Sequence, residues 1–160
     1  MNDNRLQKWA LFAEIIGGLA VVVTLIFLIY ETKENTNAIQ AQTYQSITAE
    51  LNRTRETAIL SDLNDLQLRR SSEGVGSLTP SETRKVRFLA QSVWGVYESA
   101  YYAQVRGILG EQEWSRFSIA ICRNYVGDAD IWIPTEDNQQ NGISSNITPV
   151  FRTYVEDSCK

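Results

Sequence analysis

The sequence predicts an all-α protein, an N-terminal transmembrane helix followed by a small helical bundle. Three observations lead there. Ile15–Tyr30, IIGGLAVVVTLIFLIY, is apolar and uncharged. Apolar residues recur at three- and four-residue spacing through much of the remaining chain. Thr-Pro stands at 79–80 and again at 148–149, each time just ahead of such a run, which is a helix-start signature. Residues 1–34 are assigned to the anchor. Residues 35–160 are assigned to a helical domain with a long loop near 127–147, and a segment of that size builds one modest core.

Extended back to Trp9, the apolar run is interrupted only by Glu14. About twenty-two residues at 1.5 Å each reach about 33 Å, the thickness of a hydrocarbon core. Trp9 and Tyr30 end the run, where amphipathic rings favour the interface. The sequence after the run, Leu28-Ile29-Tyr30-Glu31-Thr32-Lys33, lacks the small residues of a signal-peptide cleavage site. The segment is apolar all round above Glu14, unlike an interfacial helix with one polar face. A central bundle of a soluble oligomer is the other place where such a helix is buried.

Ala13, Gly17, Ala20 and Thr24 follow 4-3-4 spacing and form a narrow seam of small side chains, with Gly18 beside it. Such seams let helices approach closely. The seam and Glu14 are the candidate transmembrane contact, for self-association or for docking on a larger membrane protein. An anchor whose small residues meet nothing but lipid is the plainer reading. Glu14 lies one turn inside Trp9, close enough to the interface to reach headgroup water. Arg5 and Lys8 precede the run and Lys33 follows it, so the positive-inside rule favours an inside N-terminus and an outside domain.

Past the anchor, no Gly or Pro interrupts residues 31–73, and the helix is expected to continue. Its inward face would hold Ile39, Tyr44, Ile47, Leu51, Thr54 and Ala58, with a break or bend at Asn35-Thr36-Asn37. Ser61 is the expected cap of a short helix over 62–70, with Leu63 and Leu66 inward. Residues 71–76 read as a loop. Thr79-Pro80-Ser81-Glu82 is a capping box, with Thr79 as N-cap and Glu82 returning the bond. The helix behind it carries Val86, Leu89, Ala90, Val93, Tyr97, Ala100, Tyr101, Val105 and Ile108 as its apolar set and ends near Gly107. Glu111 to Val126 forms the next helix, with Trp114, Phe117, Ile121, Cys122 and Tyr125 inward and Gly127 as its stop. Thr148-Pro149 opens a short terminal helix that docks through Phe151, Tyr154 and Val155.

Composition excludes several chemistries. The chain has no histidine and a formal charge of -4. That removes His-dependent triads, His general bases and His-containing zinc sites. The acidic balance argues against nucleic acid as a partner. Two cysteines, Cys122 and Cys159, are too few for a Cys-only metal site. They form one disulfide if the domain lies in an oxidising compartment. The expectation is the plainer one, with Cys122 a small core residue and Cys159 a tail thiol. Asp128-x-Asp130 with Glu136 and Asp137 does not fit a calcium loop, because Ile133 stands at the glycine position. No catalytic residue, metal site or cofactor is assigned.

Two features remain as contacts for a partner or ligand. Glu98, Tyr102 and Arg106 are one turn apart in sequence, which allows a Glu-Tyr-Arg row. It is a hydrogen-bonded structural network if packed, or a small-ligand site if it lines a pocket. Trp132, in the loop, is either a plug over the core or an aromatic anchor for a partner.

The layout Ala13-Glu14-Ile15-Ile16-Gly17-Gly18, the apolar run, and Thr32-Lys33-Glu34-Asn35-Thr36 resembles a widespread group of small uncharacterised bacterial membrane proteins. Leu78-Thr79-Pro80, Glu98-Ser99-Ala100-Tyr101-Tyr102, Gly107-Ile108-Leu109 and Pro149–Val155 extend the likeness over most of the chain. Residues 136–146 depart from it. The resemblance implies a bacterial membrane protein with one span and a helical domain, and implies no activity; with the charge count around the span, the expected location is the inner membrane with the domain in the periplasm. The function expected is therefore a non-catalytic interaction or accessory subunit, bound to membrane lipid and to a membrane-protein partner or to further copies of itself. The alternative is a membrane-tethered sensor of a small ligand.

Overall fold

The computed structural model describes residues 3–133 and 142–160 and is all-helical among them. The helices are α1 (Asp3–Leu60), α2 (Leu63–Glu73), α3 (Pro80–Val105), α4 (Glu111–Gly127), the single turn α5 (Ala129–Trp132) and α6 (Pro149–Ser158). Short 3-10 segments lie at Val75–Ser77 and Ile143–Ser145. The chain divides into two compact units, Met1–Ala41 and Gln42–Lys160. The residues of α1 that join the core of the second unit begin near Tyr44.

α1 has no break at Asn35-Thr36-Asn37. The hydroxyls of Thr32 and Thr36 donate to the carbonyls of Leu28 and Thr32, at 2.7 and 2.9 Å, so these polar residues bond within the helix instead of ending it. Of the expected inward face, Ile47 and Leu51 are buried and Ile39 is exposed. Ser61 does not cap α2. Its hydroxyl turns back to Thr57 O at 2.8 Å, and Asp62 occupies the cap position without a side-chain bond. α2 runs on to Glu73 and stops at Gly74, whose φ of 85° is a conformation glycine tolerates and other residues resist. The expected loop at 71–76 is thus mostly helix.

α3 begins with the expected capping box. Glu82 N donates to Thr79 Oγ1 at 3.3 Å, and Thr79 N donates to Glu82 Oε2 at 2.8 Å. Thr79 N–H, then Arg69 beside it, hold the Glu82 carboxyl down at about 2 instead of 4.5. At the other end, Gly107 N bonds Gln104 O and Ile108 N bonds Ala103 O, both at 2.8 Å, with Gly107 at φ 70°. This double-bonded glycine stop redirects the chain after Val105. The redirection leaves Val105 exposed instead of inward and turns Ile108 toward the core.

Trp94 is the centre of that core, fully enclosed and in ring contact with Tyr97, Trp132 and Phe151. It sits on the Ala90–Trp94–Tyr97–Tyr101 stripe, whose 4-3-4 spacing is the signal for it, although Val93 also suits that turn. The segment expected as a structureless loop near 127–147 is ordered at both ends. Ile131 and Trp132 on α5, and Ile143 and Ile147 beyond, are core residues. Glu136 and Asp137 lie outside the described residues.

Candidate functional site

In the first unit the apolar part of α1 is open on all sides. None of the apolar stretch of this helix is covered by protein, and the helix is long and apolar enough to cross a membrane. Leu11, Phe12, Ile15, Ile16 and their successors to Tyr30 are all exposed. Each such side chain gains about 1.5–3 kcal/mol on leaving water. More than a dozen of them stand on this stretch. Their sum, on the order of 20 kcal/mol, exceeds the net stability of a typical domain. The surface therefore requires an apolar neighbour, either lipid or protein.

The small residues of the seam share this exposure. A methyl group placed on Gly17 or Gly18 would meet nothing within 4 Å. Ala13, Ala20 and Thr24 are exposed with them, as is Glu14. Thr24 donates its hydroxyl to Ala20 O at 2.9 Å. With its proton held inside the helix, Thr24 presents no unsatisfied donor to an apolar neighbour.

In the second unit, Glu98 and Tyr102 come together on Thr148, the first residue before α6. Thr148 N donates to Glu98 Oε1 at 2.9 Å, and the hydroxyls of Tyr102 and Thr148 lie 2.7 Å apart. Thr148 makes no side-chain cap of its own, so Glu98 supplies the negative group that the start of α6 attracts. Arg106 is the exposed C-cap of α3, past the point where these two act. Glu98 and Tyr102 thus form a clamp between α3 and the start of α6. Trp132 is 1% exposed, donates Nε1–H to Glu156 at 3.2 Å, and packs on Trp94 with ring centres 4.6 Å apart. It is the plug of the core and presents no ring face to a partner.

Asp128, considered in sequence only as part of an acidic cluster, is a junction. Its Oδ1 meets Arg70 Nη2 at 2.8 Å, and its Oδ2 accepts Trp94 Nε1–H at 2.9 Å. Arg70 Nη2 also reaches Gly127 O at 2.5 Å and Asp130 Oδ1 at 3.3 Å. A cation from α2 thus closes the negative end of α4. Close by, Asn124 donates to Tyr97 Oη at 2.9 Å, and burial pushes the Tyr97 hydroxyl above its ordinary pKa. Arg69 neighbours Arg70 but faces away, pairing with Glu82 at 2.6 Å. Both Asp128 and Asp130 therefore face Arg70, which ties α2 to the end of α4.

The cysteines depart from the expectation of two thiols. Cys122 on α4 and Cys159 at the end of α6 are joined in a disulfide across 37 residues. Periodicity placed Cys122 inward but carried no information on its partner, because α4 and α6 meet only in the folded chain. Among the described residues no group of three or more Cys, Asp or Glu side chains is placed to hold a metal.

Comparison with family models, with curated proteins and with solved structures finds no match.

Proposed function

We propose that this chain is a single-pass membrane protein that acts as a non-catalytic interaction or accessory subunit. In this reading α1 crosses a bacterial inner membrane and carries residues 42–160 on the oxidising, periplasmic side. The observation that carries it is the uncovered apolar stretch of α1, which needs lipid or protein around its whole circumference. The disulfide supports the side assigned, since such bonds persist outside the reducing cytosol. Arg5 and Lys8 ahead of the span point the same way. The bacterial setting is carried over from the resemblance at the anchor, 78–80, 98–109 and 149–155.

Within the bilayer, Ala13, Gly17, Ala20 and Thr24 offer the close-approach face, with Glu14 at its N-terminal edge, and the partner is a second copy or another membrane protein. The test is cross-linking in native membranes followed by gentle detergent extraction. Gly17→Leu and Ala20→Leu are expected to lose a cross-linked species that the parent forms, with both variants still resisting alkaline extraction. An assembly unchanged in both variants would remove the seam from the account. Release of the parent into the alkaline supernatant would remove the span.

A further inference from the structure

The second unit contains a groove of about 830 Å³ between the end of α1, the start of α2 and the first half of α3. Its floor is Leu63, Leu66 and Leu89, and Leu60 and Phe88 form its lips at 81% and 72% exposure. The hydroxyls of Thr54, Thr57, Ser61 and Ser92 also line it, but all four donate to helix carbonyls at 2.8–3.0 Å. The remaining polar donors are cations. Arg53, Arg84 and Lys85 line the groove and enter no ion pair among the described residues. Glu50 and Asp62 are its only carboxylates, so the lining carries one net positive charge on a chain that is otherwise acidic.

We propose that this groove binds a long-chain fatty acid, with the acyl chain along the leucine floor and the carboxylate among Arg53, Arg84 and Lys85. Three observations select this occupant. The single net positive charge matches a monoanion. The unpaired guanidinium of Arg84 suits a carboxylate, which it can hold through two parallel hydrogen bonds. The floor of Leu63, Leu66 and Leu89, with the lips Leu60 and Phe88, gives an apolar run for an acyl chain, and the volume of about 830 Å³ lies within the usual range for small-molecule sites. Leu60 and Phe88, exposed at the lips, are the side chains that would close over the chain. The inference is independent of the membrane span.

The full chain in nanodiscs of zwitterionic lipid is labelled with a photoreactive long-chain fatty acid, and the labelled peptides are mapped. Saturable label on 50–66 and 84–92 is expected, displaced by palmitate and not by its uncharged methyl ester. The double variant Arg84→Glu/Lys85→Glu, at exposed positions, is expected to lower that label about tenfold while keeping the parent melting temperature. Thr57→Trp, which fills the groove without changing its charge, is expected to lower it as well. Label confined to residues 9–30, equal displacement by the methyl ester, or label unchanged in both variants overturns the proposal. So do groove peptides left unlabelled because a second copy covers them.

Discussion

Asp128 Oδ1 lies 2.8 Å from Arg70 Nη2, in a site where the Arg70 side chain is only 4% exposed. The same carboxylate accepts the indole N–H of Trp94, so one side chain joins α2, α3 and the end of α4. Removing one member of a buried pair costs about 3–5 kcal/mol when the other is left charged and unsolvated, but Arg70 keeps Gly127 O and Asp130 as neighbours. Asp128→Ala is therefore expected to cost about 3 kcal/mol, the low end of that range, and Asp128→Asn less because it keeps an acceptor for Trp94. Denaturant midpoints with unchanged slopes would measure both. An Asp128→Ala midpoint equal to the parent would contradict the junction.

The capping box at Thr79 makes stability depend on acid. The Glu82 carboxyl is held at about 2 in the folded chain against 4.5 when free. A depressed carboxylate stabilises the fold above its unfolded pKa, and that contribution fades as pH falls from 4.5 toward 2. Glu82→Gln is expected to flatten this part of the melting-temperature profile and leave the profile above pH 6 parallel to the parent. An equally steep acid limb in the variant would assign it to other carboxylates.

The Cys122–Cys159 disulfide closes a loop of 37 residues, which corresponds to about 3–4 kcal/mol of chain entropy. Reduction, or Cys159→Ser, is expected to lower the melting temperature by on the order of 10 °C. The loss should begin at α6, which the bond fastens at its far end. Hydrogen exchange resolved by peptide would show 149–160 opening first; uniform opening along the domain would contradict that order.

The Glu98–Tyr102–Thr148 clamp makes a narrower claim. Tyr102→Phe removes one exposed hydroxyl pair and is expected to cost about 1 kcal/mol or less. Glu98→Gln removes the negative charge from the start of α6 and is expected to cost about as much. Thermal melts of the two single variants and the double variant would show additivity if the two bonds act separately. A deficit of several kcal/mol in either single variant would mean that the row does more than fasten α6.

Local chemistry was readable in the sequence and distant pairing was not. Thr79-Pro80-Ser81-Glu82 gave the start of α3 because every atom of that cap lies within four residues. Thr148-Pro149 located the start of α6 but not its capping group, which comes from Glu98 fifty residues earlier. Val93 and Trp94 share one turn of α3, and helical periodicity alone does not choose the tryptophan as the centre of the core. Asp128 meets Arg70 across 58 residues, and Cys122 meets Cys159 across 37, through packing that no periodicity records. The groove has the same origin. Its cations come from α1 and α3 and become one site only when those helices pack.

The central claim is that α1 crosses a membrane and sets the domain on its outer face. Proteinase K added to intact bacterial spheroplasts expressing the full chain with a C-terminal epitope tests it most directly. The account predicts loss of the epitope without lysis, with an N-terminal epitope protected until the membrane is opened. A C-terminal epitope that survives until lysis, or protein recovered in the soluble fraction, would contradict it.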